Sequence, residues 1–143
     1  MAVTADTTTN ESEAETVIEG TSREITQDLM VEYTDTLGFR NPIHYSGDFA
    51  GKSEYGGPIA SGPFALALVD DLLLRHFPRS WLTSGALSVA YLAPVRPGAT
   101  ITGRVEVTGL AKSAPGSRVQ LAVSCVTGEG TVVMAGTASV DVL

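Results

Sequence analysis

The chain has 143 residues, of which 43% are hydrophobic and 17% are charged, and its formal net charge is −7. This length fits one domain that buries a core without metal or disulfide support. No basic stripe is present to neutralise phosphates, so nucleic acid is not expected as a partner. The longest uninterrupted apolar run, residues 64–69, is too short to cross a bilayer, and the N-terminus lacks a secretory pattern. We therefore expect a cytoplasmic protein with no membrane partner.

The first 22 residues carry no lysine or arginine, and their acidic side chains are Asp6, Glu11, Glu13, Glu15 and Glu19. A segment of this composition buries too little apolar surface to offset the entropy lost on folding. We predict a disordered acidic leader over residues 1–15 and one folded domain over residues 16–143.

A weakly patterned strand in residues 16–25 precedes a first helix. Thr26 is a suitable N-cap for this helix and Gly38 a natural end, because a glycine accepts the left-handed backbone that often closes a helix. Between them, apolar residues recur at helical spacing: Leu29, Met30, Tyr33 and Leu37. The pattern predicts a helix that leads directly into the segment "GFRNPIH", residues 38–44.

Pro42 restricts Asn41 to an extended backbone, so residues 41–44 are predicted to form an ordered turn. Ser46 is expected to cap a short second helix. A glycine-rich loop follows, and Ser61 is predicted to cap a third helix over about residues 62–77 that ends before Pro78. This helix is apolar around most of its surface, which is typical of a helix surrounded by protein.

From Trp81 onward the apolar residues alternate with a period of two, which predicts about four strands. The alternating positions include Leu87, Val89 and Tyr91; Ile101, Val105 and Val107; Val119, Leu121, Val123 and Cys125; and Val132, Met134, Val140 and Val142. Cys125 is alone in the chain and is expected to be a buried structural thiol. We predict an α+β fold in which a curved antiparallel sheet wraps around the single apolar helix. Exposed sheet edges favour dimerisation.

Three stretches resemble the MaoC-like branch of the hot-dog fold, which contains (R)-specific enoyl-CoA hydratases and β-hydroxyacyl-thioester dehydratases. They are "YTDTLGFRNPIHYSGDFA", "GGPIASGPFALAL" and "VAYLAPVRPGATITGRVEV". The first is fairly specific, and the other two support it by their order and spacing. Together they span nearly the whole chain after the acidic leader.

The resemblance implies a site for an acyl thioester, on coenzyme A or an acyl carrier protein, beside the central helix. The backbone N–H of Gly62 would hold the thioester carbonyl, since a helix N-terminus offers unpaired donors to a developing enolate. His44 matches the catalytic histidine of the family, and Asn41 matches its asparagine. Phe39 stands at the position of the catalytic aspartate, and a phenyl ring moves no proton. Phe39 is therefore either a core side chain in a relative that lost catalysis or part of a reshaped substrate pocket. No metal or cofactor is expected, because His44 and His76 lack ligand spacing.

Several residues are candidates to compensate for the missing carboxylate. Asp35 lies one helical turn before Phe39, where it is either a stand-in acid or a solvated surface carboxylate. The candidate hydrogen-bond donors to the substrate are Tyr45, Ser46, Tyr55 and Ser61, with no spacing argument behind them, although Ser61 also suits a purely capping role. His44 alone is a further option, because one histidine can remove the α-proton and return it to the leaving hydroxyl.

Three functions follow from these alternatives. The first is a lyase that adds or removes water at the β-carbon of an acyl thioester. The second is an isomerase or cyclase of a polyketide-type pathway, and the third is a non-catalytic subunit of a heterodimeric dehydratase. A homodimer is expected for the first function, with a heterodimer as the alternative.

Overall fold

The structure, a computed structural model, describes residues 17–109 and 116–142. The strands are β1 (Val17–Ile25), β2 (Ala86–Tyr91), β3 (Ala99–Gly109), β4 (Arg118–Thr127) and β5 (Val132–Asp141). The α-helices are α1 (Gln27–Leu37), α2 (Gly47–Gly51), α3 (Pro63–His76) and α4 (Pro78–Ser84), and a 3-10 turn spans Pro42–His44. The acidic leader, residues 1–15, lies outside the described residues and stays a prediction.

The five strands form one antiparallel sheet in the order β1-β3-β4-β5-β2. Opposing residues such as Val105 and Val123 on β3 and β4 place their side chains on the same face. Helix α3 packs on that face and contacts β1, β3, β4 and β5. The predicted α+β fold, a sheet around one central helix, is therefore confirmed.

The core lies between α3 and the sheet. Ala65, Val69, Leu72 and Leu73 recur at the spacing of one helix face, and all four are buried. The opposite side of α3 is different, because Ala67, Asp70 and Asp71 are exposed. The expectation of a helix enclosed on nearly every side is thus wrong for the single chain.

The close approach of α3 to β3 depends on Gly103. A Cβ built on Gly103 would lie 3.0 Å from the carbonyl oxygen of Leu68 and 3.2 Å from the amide nitrogen of Val69. These are backbone atoms of α3, which cannot rotate away as a side-chain tip can. The glycine at this position of the predicted strand therefore sets how closely the helix lies on the sheet.

Cys125 on β4 is 0% exposed and belongs to this core. Burial raises the pKa of its thiol to about 11, so the group stays protonated at neutral pH. The prediction of a buried structural thiol is confirmed.

The capping predictions for the first two helices are confirmed. Thr26 Oγ1 accepts a hydrogen bond from the Leu29 N–H at 3.1 Å, and Gly38 ends α1 with a φ of 71°. Ser46 Oγ accepts from the Phe49 N–H at 3.2 Å at the start of α2.

The segment around Trp81 is helical, and the expectation that strand periodicity begins at Trp81 is wrong. Pro78 ends α3 as predicted but also begins α4, because proline suits the first turn of a helix. The indole N–H of Trp81 donates to Asp70 Oδ1 at 2.7 Å and ties α4 to α3. The strand starts only at Ala86.

Among the described residues, no helix has the length and apolar character that a membrane span requires.

We predict that Gly103→Ala lowers the free energy of unfolding by about 1–3 kcal/mol, because the added methyl group overpacks the contact between α3 and β3. Chemical denaturation measures this change. Gly109→Ala on the same strand is the control, since its Cβ would lie 3.4 Å from Gln120 Cβ, an ordinary contact. Equal stability of the two variants would contradict the role given to Gly103.

Candidate active site

The turn that carries His44 is held by hydrogen bonds at both ends. Asn41 is extended, as Pro42 requires, and its Oδ1 accepts from the Ile43 N–H at 3.1 Å. Gln27, the first residue of α1, donates its Nε2–H to the His44 carbonyl oxygen at 2.9 Å. The main chain of His44 is therefore anchored before its side chain makes any contact.

The imidazole of His44 is oriented by one hydrogen bond. Its Nδ1 lies 2.8 Å from the carbonyl oxygen of Ile59. Because a carbonyl oxygen only accepts, Nδ1 must carry the hydrogen, and the neutral ring then presents Nε2 as its proton acceptor. The same loop is held by a bond from the Ile59 N–H to the Ile43 carbonyl oxygen at 3.2 Å. This arrangement suits a histidine that accepts and returns a proton at one defined atom.

Helix α3 begins without a side-chain cap. Gly62 takes the N-cap position, and Ser61 makes no capping bond, so the prediction of Ser61 as the cap is wrong. The helix begins one residue later than predicted, at Pro63, so Ser61 lies before the N-cap position. Within the described part of the chain, the Gly62 N–H donates to no acceptor. A free donor with the positive end of the helix behind it is suited to a developing oxyanion.

Ser61 instead presents an unpaired hydroxyl. Its Oγ is buried and has no hydrogen-bond partner among the described residues. Such a group costs about 1–3 kcal/mol when left unsatisfied. A buried hydroxyl without a protein partner beside a free N–H indicates a site that a polar ligand group completes.

These groups meet in one cavity of about 430 Å³. The size is within the range of small-molecule sites, roughly 300–1,000 Å³. Its polar side chains are those of His44, Tyr55, Ser61 and Tyr91, and no carboxylate of the described residues lines it. The remaining lining residues are Ile59, Ala60, Gly62, Pro63, Ala65, Leu92, Ala93, Pro94, Val95 and Val133. The cavity thus combines an apolar wall with one imidazole, three hydroxyls and a free helix N-terminus.

Tyr91, the last residue of β2, lies directly against Gly62. A Cβ built on Gly62 would be 2.6 Å from Tyr91 Cζ and 2.8 Å from its hydroxyl oxygen. Partial burial, and then the nearby Tyr33, raise the pKa of Tyr91 above its ordinary value. A side chain at position 62 would therefore displace the tip of the Tyr91 phenol, and glycine leaves this close contact in place.

Four of the predicted site residues line the cavity or support it. His44, Gly62 and Ser61 line it, while Asn41 shapes the turn that carries His44. The supporting role expected of Asn41 stays a prediction.

The other predicted residues do not line the cavity. Asp35 pairs with Arg40 at 2.8 Å on the surface, an arrangement that corresponds to the solvated carboxylate considered for it. The Arg40 guanidinium also lies over the Tyr45 ring, 5.4 Å from its centre. Phe39 is 77% exposed, so the position matched to the family aspartate faces solvent in the single chain.

Two cavity residues were missed or left without an argument by sequence reasoning. Tyr55 was visible only as a hydroxyl in a loop, and Tyr91 only as an alternating strand residue. Tyr91 lies within the stretch "VAYLAPVRPGATITGRVEV", but nothing in that stretch shows that its side chain reaches the cavity. Strand pairing and helix packing bring Tyr91 there. Among the described residues, no cluster of His, Cys, Asp or Glu is placed to hold a metal ion.

The family profile described as "MaoC like domain" matches residues 9–131. Because that match spans most of the chain, the protein belongs to the MaoC-like domain family.

Among proteins of known activity, the chain is similar to the 3-hydroxybutyryl-CoA dehydratase of Methylorubrum extorquens. The two are 32% identical over 120 residues, which cover 84% of this chain and 74% of that protein.

Solved structures share the fold. The (R)-hydratase from A. caviae involved in PHA biosynthesis superimposes with a TM-score of 0.73 at 23% identity, covering 94% of this chain and 99% of that one. A 3R-hydroxyacyl-ACP dehydratase complex from Mycobacterium tuberculosis gives a TM-score of 0.65 at 15% identity, with 88% and 94% covered. The resemblance deduced from the sequence is therefore confirmed.

We predict that Ser61→Ala leaves the free energy of unfolding unchanged or raises it by up to about 1 kcal/mol, because it removes an unsatisfied buried hydroxyl. Ser84→Ala is the control. Ser84 Oγ donates to the Ser80 carbonyl oxygen and accepts from the Asp141 N–H, both at 2.9 Å, and its loss should cost about 1 kcal/mol. Chemical denaturation of both variants measures the change in the free energy of unfolding for each. If Ser61→Ala lowered the free energy of unfolding as much as Ser84→Ala does, this account of the site would be contradicted.

Proposed function

We propose that the protein is a hydro-lyase that adds water to an enoyl thioester or removes it from a β-hydroxyacyl thioester. The observation that supports this most strongly is the state of His44. Its Nδ1–H is held by Ile59 at 2.8 Å, which leaves Nε2 as the proton acceptor in the cavity that also contains the Gly62 N–H. An imidazole and an oxyanion donor in one apolar cavity are the groups that proton transfer next to a carbonyl requires.

In the dehydration direction, Nε2 of His44 takes the proton from the α-carbon of the substrate. The electron pair moves onto the thioester carbonyl oxygen, to which Gly62 donates its N–H. The imidazolium then gives its Nε2 proton to the β-hydroxyl, which leaves as water while the Cα–Cβ double bond forms. Neutral His44 is restored, so the proton balance closes without a carboxylate.

The apolar wall of the cavity favours the acyl part of the substrate. Ile59, Ala65, Val95 and Val133 offer hydrocarbon surface and no charge. The unpaired hydroxyl of Ser61 is the group we expect to hydrogen-bond the substrate. The carrier is coenzyme A or an acyl carrier protein, and the dehydratase relative of Methylorubrum extorquens makes a four-carbon CoA thioester the first substrate to test.

Asp35 has no role in this proposal, because its carboxylate pairs with Arg40 away from the cavity. The same applies to Phe39 and Tyr45, which are not among the lining residues. Asn41 acts as a positioning residue through the turn that carries His44.

We expect His44→Gln to lower kcat/KM for crotonyl-CoA hydration by about 10²–10⁴-fold, because the variant lacks the proton acceptor. The measurement is the loss of enoyl absorbance, with β-hydroxybutyryl-CoA as the reverse substrate. His76→Gln is a matched control, since His76 Nδ1 also bonds a backbone carbonyl, that of Leu72 at 2.9 Å, but does not line the cavity. Inactive wild-type protein, or His44→Gln with wild-type turnover, would overturn the proposal.

We further propose that two copies of the chain pair through β2. Within the described residues β2 pairs only with β5, so its outer edge has unpaired backbone groups. Large apolar side chains are exposed around it, namely Leu82, Tyr91, Leu92 and Val132. Since free strand edges tend to pair and Tyr91 and Leu92 line the cavity mouth, a second copy would cover both the edge and the opening.

Ala90→Lys tests this dimer, because its exposed side chain would bring like charges together across a two-fold strand pair. Light scattering should give about 30 kDa for wild type, twice the chain mass of 14.9 kDa, and a shift toward 14.9 kDa for the variant. Thr21→Lys on the exposed opposite edge strand β1 is the control. A monomeric wild type would contradict the homodimer.

The absence of a carboxylate among the described lining residues also favours a second function, the substrate-holding subunit of a heterodimer. This subunit would bind the thioester, and its partner would supply the acid and base. Inactive wild-type protein that gains turnover only with a second hot-dog chain would establish this alternative in place of the lyase. An active homodimer would exclude it.

A further inference from the structure

We propose that the Tyr91 hydroxyl donates a hydrogen bond to the thioester carbonyl oxygen, as a second donor beside the Gly62 N–H. This inference rests on the proposed function and adds a catalytic residue to its site. It arises from the close contact between Tyr91 at the end of β2 and Gly62 at the start of α3.

The Tyr91 hydroxyl lies beside Gly62. The hydroxyl oxygen of Tyr91 would lie 2.8 Å from a Cβ on Gly62, and Cζ and Cε1 would lie 2.6 Å and 2.9 Å from it. The tip of the phenol, rather than its inner ring, is therefore the part that touches Gly62. A carbonyl oxygen bound at the Gly62 N–H would lie next to this hydroxyl.

The Tyr91 phenol has the chemical character of a hydrogen-bond donor within the cavity. Tyr91 is 53% exposed as a whole, and it lines the cavity that contains His44 and Ser61. Partial burial and the neighbouring Tyr33 raise its pKa, so at neutral pH the group is a donor and not a phenolate. No carboxylate of the described residues lines the cavity to accept its proton instead.

The proposed reaction requires hydrogen-bond donors at the carbonyl oxygen. Charge develops on the carbonyl oxygen when His44 removes the α-proton, and donors aimed at that oxygen act most strongly in the transition state. Tyr91 shares its hydrogen with the oxygen and keeps its proton throughout. The proton balance through His44 is therefore unchanged, and Tyr91 has no part in removing the β-hydroxyl.

Tyr91→Phe tests the hydroxyl while keeping the ring against Gly62. Where the lyase is active, we expect kcat for crotonyl-CoA to fall by about a hundredfold, with KM changed less than about threefold. The direct measurement is the infrared stretch of butyryl-CoA carrying ¹³C at the thioester carbonyl, a probe that has no β-hydroxyl or double bond and does not react. Its bound frequency should rise in Tyr91→Phe, because one hydrogen bond to the oxygen is lost.

Tyr33→Phe is the matched control. It removes a phenol hydroxyl close to Tyr91, from a ring that packs on Phe64 with centroids 4.9 Å apart and does not line the cavity. We expect the control to keep the wild-type carbonyl frequency and turnover.

The outcomes separate this inference from the proposed function. A carbonyl frequency that is equal in wild type and Tyr91→Phe overturns the second donor, whether or not the wild type turns over crotonyl-CoA. A frequency that rises in Tyr91→Phe while the wild type is inactive keeps the donor and overturns the lyase. Failure of butyryl-CoA to bind wild type at millimolar concentration overturns both.

Discussion

The packing of α3 on the sheet is the contact on which the other parts of the molecule depend. Val69 and Leu73 on the buried face of α3 are 0% exposed, and Gly103 lets the helix backbone lie against β3. Because protein interiors are close-packed, fixing the buried face of a helix also fixes its first turn. Gly62 and Ser61 therefore hold their places beside the cavity although neither makes a side-chain cap.

The loop before α3 joins the helix to the histidine turn and to the segment between β2 and β3. Ile59 bonds Ile43 through the main chain and His44 through the imidazole, while the Ala60 N–H donates to the Val95 carbonyl oxygen at 2.8 Å. Three parts of the chain that are distant in sequence thus share one set of backbone bonds. These bonds explain how the His44 imidazole keeps one tautomer and a fixed position relative to α3, although it lies on a surface turn.

Sequence reasoning was most successful where the signal was local. The caps at Thr26 and Ser46, the end of α1 at Gly38 and the turn before His44 follow from one or two side chains each. It was wrong about Trp81, because a proline that ends one helix also suits the start of the next. Ser61 was misread for a related reason, since a serine before a helix is usually its cap.

What the amino-acid sequence determined by itself was the fold class, the family and the identity of His44 and Gly62 as cavity residues, because periodicity and short motifs are encoded in neighbouring residues. Only the tertiary structure decided which other side chains join them. It brought Tyr91 from the end of β2 against Gly62 and left Asp35 in a surface ion pair with Arg40. The physical reason is that strand pairing and helix packing set distances between segments tens of residues apart, and sequence spacing does not contain those distances.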